Sequence, residues 1–298
     1  MSRLRHCPSC TSPDAHRHLE VRDHSVSGEV FEIVACAACG LLYTADAPGR
    51  DRIGAYYASE EYVSHSDTQK GPVNRLYHLV RSITVRDKRN MALRANGGKA
   101  GDLLDYGCGT GAFAAAMRDA GWNVTALEPD ATARENAFRL HGLKASDPDA
   151  LGAIAATSLD TITLWHVIEH VHDLRETLAQ FHRVMRSGGT LFLAVPNHSS
   201  LDARRYGSHW AAWDVPRHLW HFSPSSMARL LEPLGFRLGD VRTMWFDAFY
   251  VSMLSEKYAH GRVRMLPALW CGLLSNVNAL LRPGTGSSLI YVVKKAEE

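Results

Sequence analysis

Residues 101–113 read GDLLDYGCGTGAF: an apolar run closing on an acid, then Gly107, Gly109 and Gly111 at alternate positions, then a stretch of helical character. The run LLDYG suits a buried strand of a parallel sheet, and AFAAAMRDAG suits a helix closing at Gly121. Glycine is required where backbone turns sharply and approaches a ligand, because a Cβ would clash there or forbid the φ angle. Strand, glycine turn and helix together predict an α/β chain with a ligand at the turn.

The spacing narrows the ligand. A dinucleotide fingerprint is G-x-G-x-x-G, and a P-loop ends in Lys-Ser/Thr. Here the pattern is D-x-G-x-G-x-G, with Asp105 two residues before the first glycine and no Lys-Ser/Thr after it. An acid in that place repels phosphate and attracts a cationic amino group. The pattern resembles the first motif of the class I S-adenosylmethionine-dependent methyltransferases, whose cofactor carries an α-amino group and a sulfonium but no phosphate. The resemblance implies that Asp105, Gly107, Cys108, Gly109 and Gly111 line the cofactor, with Cys108 offering backbone. After the helix, NVTALEPDA reads as a second strand ending at Glu128, with Pro129 beside it, where an acid takes both ribose hydroxyls. LKASD brings Asp147 to the end of a third short strand, where the family contacts the adenine amino group; Asp147 suits equally well the cap of the helix DPDALGAIAA.

Cysteine usage points to a separate module. Four of the six cysteines fall in Cys7-Pro-Ser-Cys10 and Cys36-Ala-Ala-Cys39. Two C-x2-C pairs make two knuckles that complete a tetrahedron of thiolates, which predicts a small N-terminal zinc ribbon with FEIVAC and GLLY as strands. Four thiolates leave no open position, so the expected Zn2+ is structural. Disulfides are the rival pairing. The N-terminus carries no apolar leader, which argues for a cytoplasmic, reducing location and against them.

Beyond residue 98, strands and helices alternate as in a doubly wound sheet. LDTITLW reads as strand four, VHDLRETLAQFHRVMRSGG as a helix ending at a glycine pair, GTLFLAVP as strand five, FRLGDVRTMW as strand six and SSLIYVVKKA as strand seven. The expected organisation is a zinc-ribbon module at 1–48, a helical cofactor-covering segment at 49–98, and a seven-stranded Rossmann-like methyltransferase domain at 99–298 with a helical insertion at about 247–286. Tyr56, Tyr57 and Tyr62 are candidates to cover the cofactor cleft, and Leu76, Leu79, Val80, Ile83 and Met91 to pack the long helix after them.

Ligands of open α/β sheets sit at the carboxyl ends of the strands. Two segments qualify there. After strand four comes Trp165-His166-Val167-Ile168-Glu169-His170, whose H-x-x-E-H string also matches a zinc-protease motif. That motif needs a metal-binding helix and a further acid, whereas this string follows a strand. Many class I enzymes carry a similar segment, and the resemblance implies a structural His170 and a His166 near the transferred methyl. The second segment is the loop 197–222, NHSSLDARRYGSHWAAWDVPRHLWHF, rich in His, Arg and Trp. Its other reading is a solvated connection anchored by its aromatics.

A four-cysteine module joined to such a domain is similar to the deoxysugar C-methyltransferases, which act on nucleotide-linked keto-sugars. Their loop carries Tyr-x-Glu-His. Here Val215-Pro216-Arg217-His218 matches only at His218, and the C-terminal domain of that family is missing. The Pro-Arg-His-Leu variant looks closer to bacterial methyltransferases of glycan or secondary-metabolite pathways. His218 is the first expected base, followed by His221 and His166, because imidazole takes protons near neutral pH. Tyr206, Arg204, Arg205 and Arg217 are expected to hold the acceptor, the arginines by clamping a phosphate.

The expected function is S-adenosylmethionine-dependent methyl transfer to a small-molecule acceptor, an anionic sugar or related metabolite. RNA methylation is the enzymatic alternative, with Arg3, Arg5, Arg17 and Arg22 in its favour. Against it, no Asn/Asp-Pro-Pro-Tyr element follows strand four, and a net charge of +2 gives no reason to expect nucleic acid. A non-catalytic cofactor-binding scaffold is the other alternative. The apolar stretch 266–281 is too short to span a bilayer and contains Asn276 and Asn278, so it reads as a buried or interfacial helix that offers a membrane contact.

Overall fold

A computed structural model describes residues 6–57 and 72–296, with side chains from residue 80 onward in the second stretch. Tyr62, Arg3 and Arg5, and the side chains of Leu76 and Leu79, lie outside the described residues. Two sheets organise the chain. The larger joins β4 (Asp102–Tyr106), β5 (Asn123–Leu127), β6 (Leu159–Trp165), β7 (Met185–Pro196), β9 (Phe236–Thr243) and β10 (Ser288–Lys295) in the order β5-β4-β6-β7-β10-β9. β4 to β7 are parallel, and β10 runs antiparallel to both of its neighbours, β7 and β9. Parallel strands covered on both faces become continuous apolar runs, and Leu103, Leu104, Ile162, Leu164 and residues 191–195 are all fully buried.

Six strands, not seven, make this sheet. The expected third strand LKAS forms only a single bridge, Ser146 to Leu127. Pro148 ends it at once, and Asp147 caps the short 3-10 helix Pro148–Ala153 by accepting from the Asp149 N–H. The expected helix ending at the glycine pair is also shorter. It is α4 (Leu174–Val184), and β7 starts at Met185. The register then jumps from Leu159 opposite Met185 to Thr161 opposite Thr190, so the glycine pair, with Gly188 at φ 72°, sits in a bulge within the strand.

One face of the sheet carries α1 (Pro72–Ala95) and α2 (Ala112–Asp119), which meet it through Ala92, Phe113 and Met117 against Leu103 and Phe192. The other face packs α4 and α6 (Pro224–Leu231). The same core continues into the cysteine module through Cys7, Cys36, Leu41 and Tyr43. That module holds β1 (Ala15–Arg22), β2 (Val30–Cys36) and β3 (Leu42–Thr44), all antiparallel. Its fourth strand is β8 (Trp220–His221), which belongs to the loop 197–222 and pairs Leu42 with His221 and Tyr43 with Trp220. The module's sheet is thus completed by the loop that follows β7.

The insertion between β9 and β10 is a pair of helices, α7 (Asp247–His260) and α8 (Met265–Leu281). Against its surroundings α8 turns small residues, Ala268, Cys271, Gly272, Ser275 and Ala279; a Cβ on Gly272 would stand 2.6 Å from the Phe249 ring. Its large residues face outward, with Leu266 82%, Trp270 58%, Leu280 68% and Leu281 77% exposed. Among the described residues no helix is long and apolar enough to cross a membrane.

Candidate functional site

The strand order reverses between β4 and β6, where the chain runs outward to β5 and then returns to the other side of β4. At such a switch point the turns after adjacent strands diverge and leave a crevice. Here the two turns are the glycine loop after β4 and the segment 166–170 after β6.

All three loop glycines are left-handed, at φ 76°, 55° and 80°, and each is required for a different reason. A Cβ on Gly107 would stand 2.5 Å from Val167, and one on Gly111 would stand 2.8 Å from Leu143 and 3.0 Å from Ala137. A Cβ on Gly109 would meet nothing within 4 Å, so that side of the loop faces open space. Gly109 N–H donates to Glu128 Oε2 at 2.8 Å, and Asp130 N–H donates to Oε1 at 3.0 Å. Glu128 is therefore latched to the loop, and each of its oxygens keeps a lone pair. Burial raises its pKa, and the two N–H donors pull it back. Pro129 follows and accepts from Arg134 through its carbonyl. Cys108 donates its N–H to Leu127 O, and burial together with Asp105 and Glu128 pushes its thiol up. Asp147, by contrast, is exposed in its capping position.

Asp105 is buried beneath the loop and accepts from the Thr163 hydroxyl at 2.8 Å. Burial raises its pKa to about 7, against the pull of Thr163 and of Lys88. Lys88, from α1, stands 4.3 Å from the centre of the Trp165 ring; burial lowers it to about 8, while Asp247 and Asp105 oppose that shift. A buried acid beneath the loop, a carboxylate latched to it and a cation across it fit an amino acid conjugated to a nucleoside. These are the donor and acceptor types that S-adenosylmethionine needs.

The three candidate histidines differ sharply. His166 is held at φ 58° with Nε2 3.2 Å from Asp247 and Nδ1 3.5 Å from Glu169. Burial opposes its charge, but the two carboxylates outweigh it and raise the pKa to about 9. Both carboxylates favour the form protonated on both nitrogens, which has no lone pair to act as a base. His221 is buried, with Nε2 3.0 Å from Thr44 Oγ1, and burial holds it neutral. His218 donates Nδ1–H to Ala212 O at 2.9 Å and turns Nε2 toward His170 and Asp214.

Of the arginines expected to clamp the acceptor, Arg217 is engaged inside the protein. Arg217 is 1% exposed and binds Asp214 at 2.6 Å, Asp23 of the cysteine module at 3.0 Å and the Tyr56 carbonyl at 2.8 Å. Arg204 donates to Ser199 O. Arg205 and Tyr206 line a cleft of about 790 Å³ with His209, Glu256, His260 and Arg264 at the far end of α7. Asp247 opens α7 beside His166, so at 1.5 Å per residue the cleft lies roughly 14–20 Å away.

Trp210, Trp213 and Trp220 of the loop are buried, and Trp213 meets both His198 and His221. The loop is a packed element and not a solvated connection. Of the tyrosines, Tyr57 reaches His170 Nδ1 at 3.0 Å, while Tyr56 bonds Glu29. The sequence motifs did not single out Lys88, Thr163, Asp247, Thr44 or Asp23; an isolated acid or lysine on a helix carries no local signal of what packs opposite.

In the cysteine module the four sulfurs lie within 4.8 Å of one another, with Cys7–Cys39 and Cys10–Cys36 each at 3.5 Å. A disulfide needs about 2.05 Å, and all six cysteines are free. Tetrahedral zinc with bonds of about 2.3 Å sets its sulfurs about 3.8 Å apart, so the cluster fits that ion.

A family model described as a methyltransferase domain matches residues 79–240. The ubiquinone biosynthesis O-methyltransferase of Xanthomonas oryzae pv. oryzae is 29% identical over 159 residues, 49% of this chain and 66% of that protein. The corresponding protein of Xanthomonas axonopodis pv. citri is 28% identical over the same shares. The match spans just under two thirds of these relatives' length. Among solved structures, a SAM-dependent methyltransferase from Archaeoglobus fulgidus has a TM-score of 0.50 at 20% identity, over 72% of this chain and 94% of that one. That likeness is one of fold.

Proposed function

The chain belongs to the methyltransferase-domain family, and on that premise we propose that it transfers the methyl group of S-adenosylmethionine to a small-molecule acceptor. The observation that carries the reading is the glycine loop with open space at Gly109 and Glu128 latched beside it. Bound there, the cofactor supplies an electrophilic methyl on a sulfonium. Glu128 takes the ribose hydroxyls through its remaining lone pairs. Lys88 would offer a cation to the cofactor's carboxylate, and Asp105, whose pKa burial raises to about 7, would favour its ammonium.

Glu169, His170 and His218, which lie together at the carboxyl end of β6, would receive the acceptor beside the methyl. Those three groups supply hydrogen-bond acceptors and no donor on their inward side, which draws a positive species, in the first instance the proton of an acceptor hydroxyl. An anionic sugar or related metabolite remains the acceptor class we propose. It rests on the single match of His218 to the loop of the sugar enzymes, since Arg217 is buried in internal contacts.

The outward face of α8 favours a second reading, in which the enzyme works on the surface of a bilayer. Large apolar side chains outside, small ones inside, and exposed Arg262, Arg264 and Arg282 at the helix ends are the pattern of an interfacial helix on an anionic membrane. Co-flotation with anionic vesicles that is lost in Leu266→Asp/Leu280→Asp supports it, and no flotation of the wild type removes it.

The test of the main reading is transfer from methyl-labelled S-adenosylmethionine into a cell extract fractionated into soluble metabolites, lipids and RNA. Label in a soluble, anionic fraction supports the sugar-like acceptor. Label in lipid moves the acceptor to the membrane, label in RNA overturns the small-molecule class, and cofactor binding without label leaves a scaffold.

A further inference from the structure

A second group of metal-ligating side chains lies far in sequence from the four cysteines. Glu169, His170 and His218 each offer a ligand atom, and these atoms lie within 4.8 Å of one another. Glu169 is 1% exposed, and neither of its carboxylate oxygens has a hydrogen-bond partner among the described residues. Its charged neighbour His166 stands 3.5 Å away, beyond the roughly 2.7–2.9 Å of a charge-assisted hydrogen bond. A buried carboxylate in that condition is costly unless a cation completes it.

The histidines are arranged for the same purpose. His170 Nδ1 meets Arg217 O at 3.0 Å, and His218 Nδ1 meets Ala212 O at 2.9 Å. A carbonyl only accepts, so both Nδ1 atoms carry the proton and both Nε2 atoms carry a lone pair. Tyr57 OH shares the His170 proton at 3.0 Å. A backbone carbonyl fixing the tautomer of a ring whose other nitrogen binds metal is the usual outer shell of a histidine ligand. The rings meet edge-on with centres 4.7 Å apart, and Asp214 stands 3.8 Å from His218 Nε2.

We propose that Glu169, His170 and His218 form a two-histidine, one-carboxylate site for a divalent first-row cation, with zinc the best match to the donor set. Such a cation, with bonds of about 2.0–2.2 Å, needs its ligands about 3.3–3.6 Å apart, which small side-chain rotations supply here. Three protein ligands leave a position open for a water or an acceptor oxygen, unlike the closed set of four thiolates. The site rests on the reading that the acceptor is prepared at this cluster, and it deepens that reading: the positive species drawn there is a metal ion, with His218 as its ligand. Because His218 is carried by the loop that completes the module's sheet, the second site forms only when the loop is seated.

The test is elemental analysis of the full-length protein after dialysis against zinc alone and removal of free metal. The wild type is expected to hold about two equivalents, and Glu169→Gln and His218→Ala each about one fewer than the wild type. Circular dichroism checks folding, and Glu169→Gln, which keeps size and shape, decides if His218→Ala unfolds. Equal metal content in the wild type and folded Glu169→Gln overturns the site. Label transfer by a protein with no metal at this cluster also overturns it and leaves the methyltransferase reading standing, whereas failure to bind S-adenosylmethionine sinks that reading whatever the metal count.

Discussion

The glycine loop after β4 and the loop 197–222 after β7 are built in opposite ways. The glycine loop is local. Its conformation is set by three glycines within five residues, and its partner Glu128 arrives at the end of the next strand. The loop 197–222 is held from a distance: Thr44 receives His221 and donates to the His218 carbonyl, Asp23 receives Arg217, and β3 pairs with β8. The cofactor corner can therefore survive damage that removes the acceptor corner. The cysteine module supports the loop 197–222 through Thr44, Asp23 and β3.

The sharpest way to break this contrast is to release the module. Cys36→Ser removes one thiolate of the proposed zinc site, so β3 and the Asp23 turn loosen and the His218 loop loses its seat. Turnover is expected to fall by about a hundredfold or more while cofactor affinity changes less than about threefold, since metal binding and folding of such a module are one process. Label-transfer rates and cofactor titration read the two effects separately.

Arg217→Met probes the link alone. It removes the cation from Asp214 and from the fully buried Asp23, whose carboxylate keeps only its bonds to the 25–27 turn. Breaking one side of a buried ion pair costs about 3–5 kcal/mol, and denaturant unfolding should show a loss of that size. The acceptor KM of the folded fraction should stay near that of the wild type. A large rise in KM at unchanged stability would return Arg217 to the role of substrate clamp.

A smaller effect marks the other corner. Asp105 has a folded-state pKa raised by burial to about 7, against about 3.9 in an unfolded chain. Between those values the native state binds more protons, so this group's contribution makes stability fall as pH rises from about 4 to about 7. Asp105→Asn should flatten that part of the profile. A slope unchanged by the substitution would mean that Asp105 is ionised throughout.

The cofactor corner was legible in the sequence because glycine placement and the following acid are properties of neighbouring residues. The strand count was not. LKAS has the apolar pattern of a strand, but Pro148 and the Asp147 cap stop it after one bridge. Nor could the order of the histidines be read from type or spacing. His166 and His218 share a side chain, yet two carboxylates charge the first while a backbone carbonyl fixes the tautomer of the second. Arg217 looked like an anion clamp because nothing within a few residues reveals that Asp23 lies against it. Long-range pairing decides these assignments, and only the folded chain displays it.

The most direct measurement is calorimetric titration of S-adenosylmethionine into the wild type, Gly109→Ala and His218→Ala, with label-transfer rates taken on the same samples. A methyl group on Gly109 must point into the open space assigned to the cofactor, so affinity should drop at least about tenfold, or 1.4 kcal/mol. His218→Ala should bind the cofactor as the wild type does and lose turnover. Equal loss of affinity in both variants, or full turnover by His218→Ala, would contradict the account of two separately built corners.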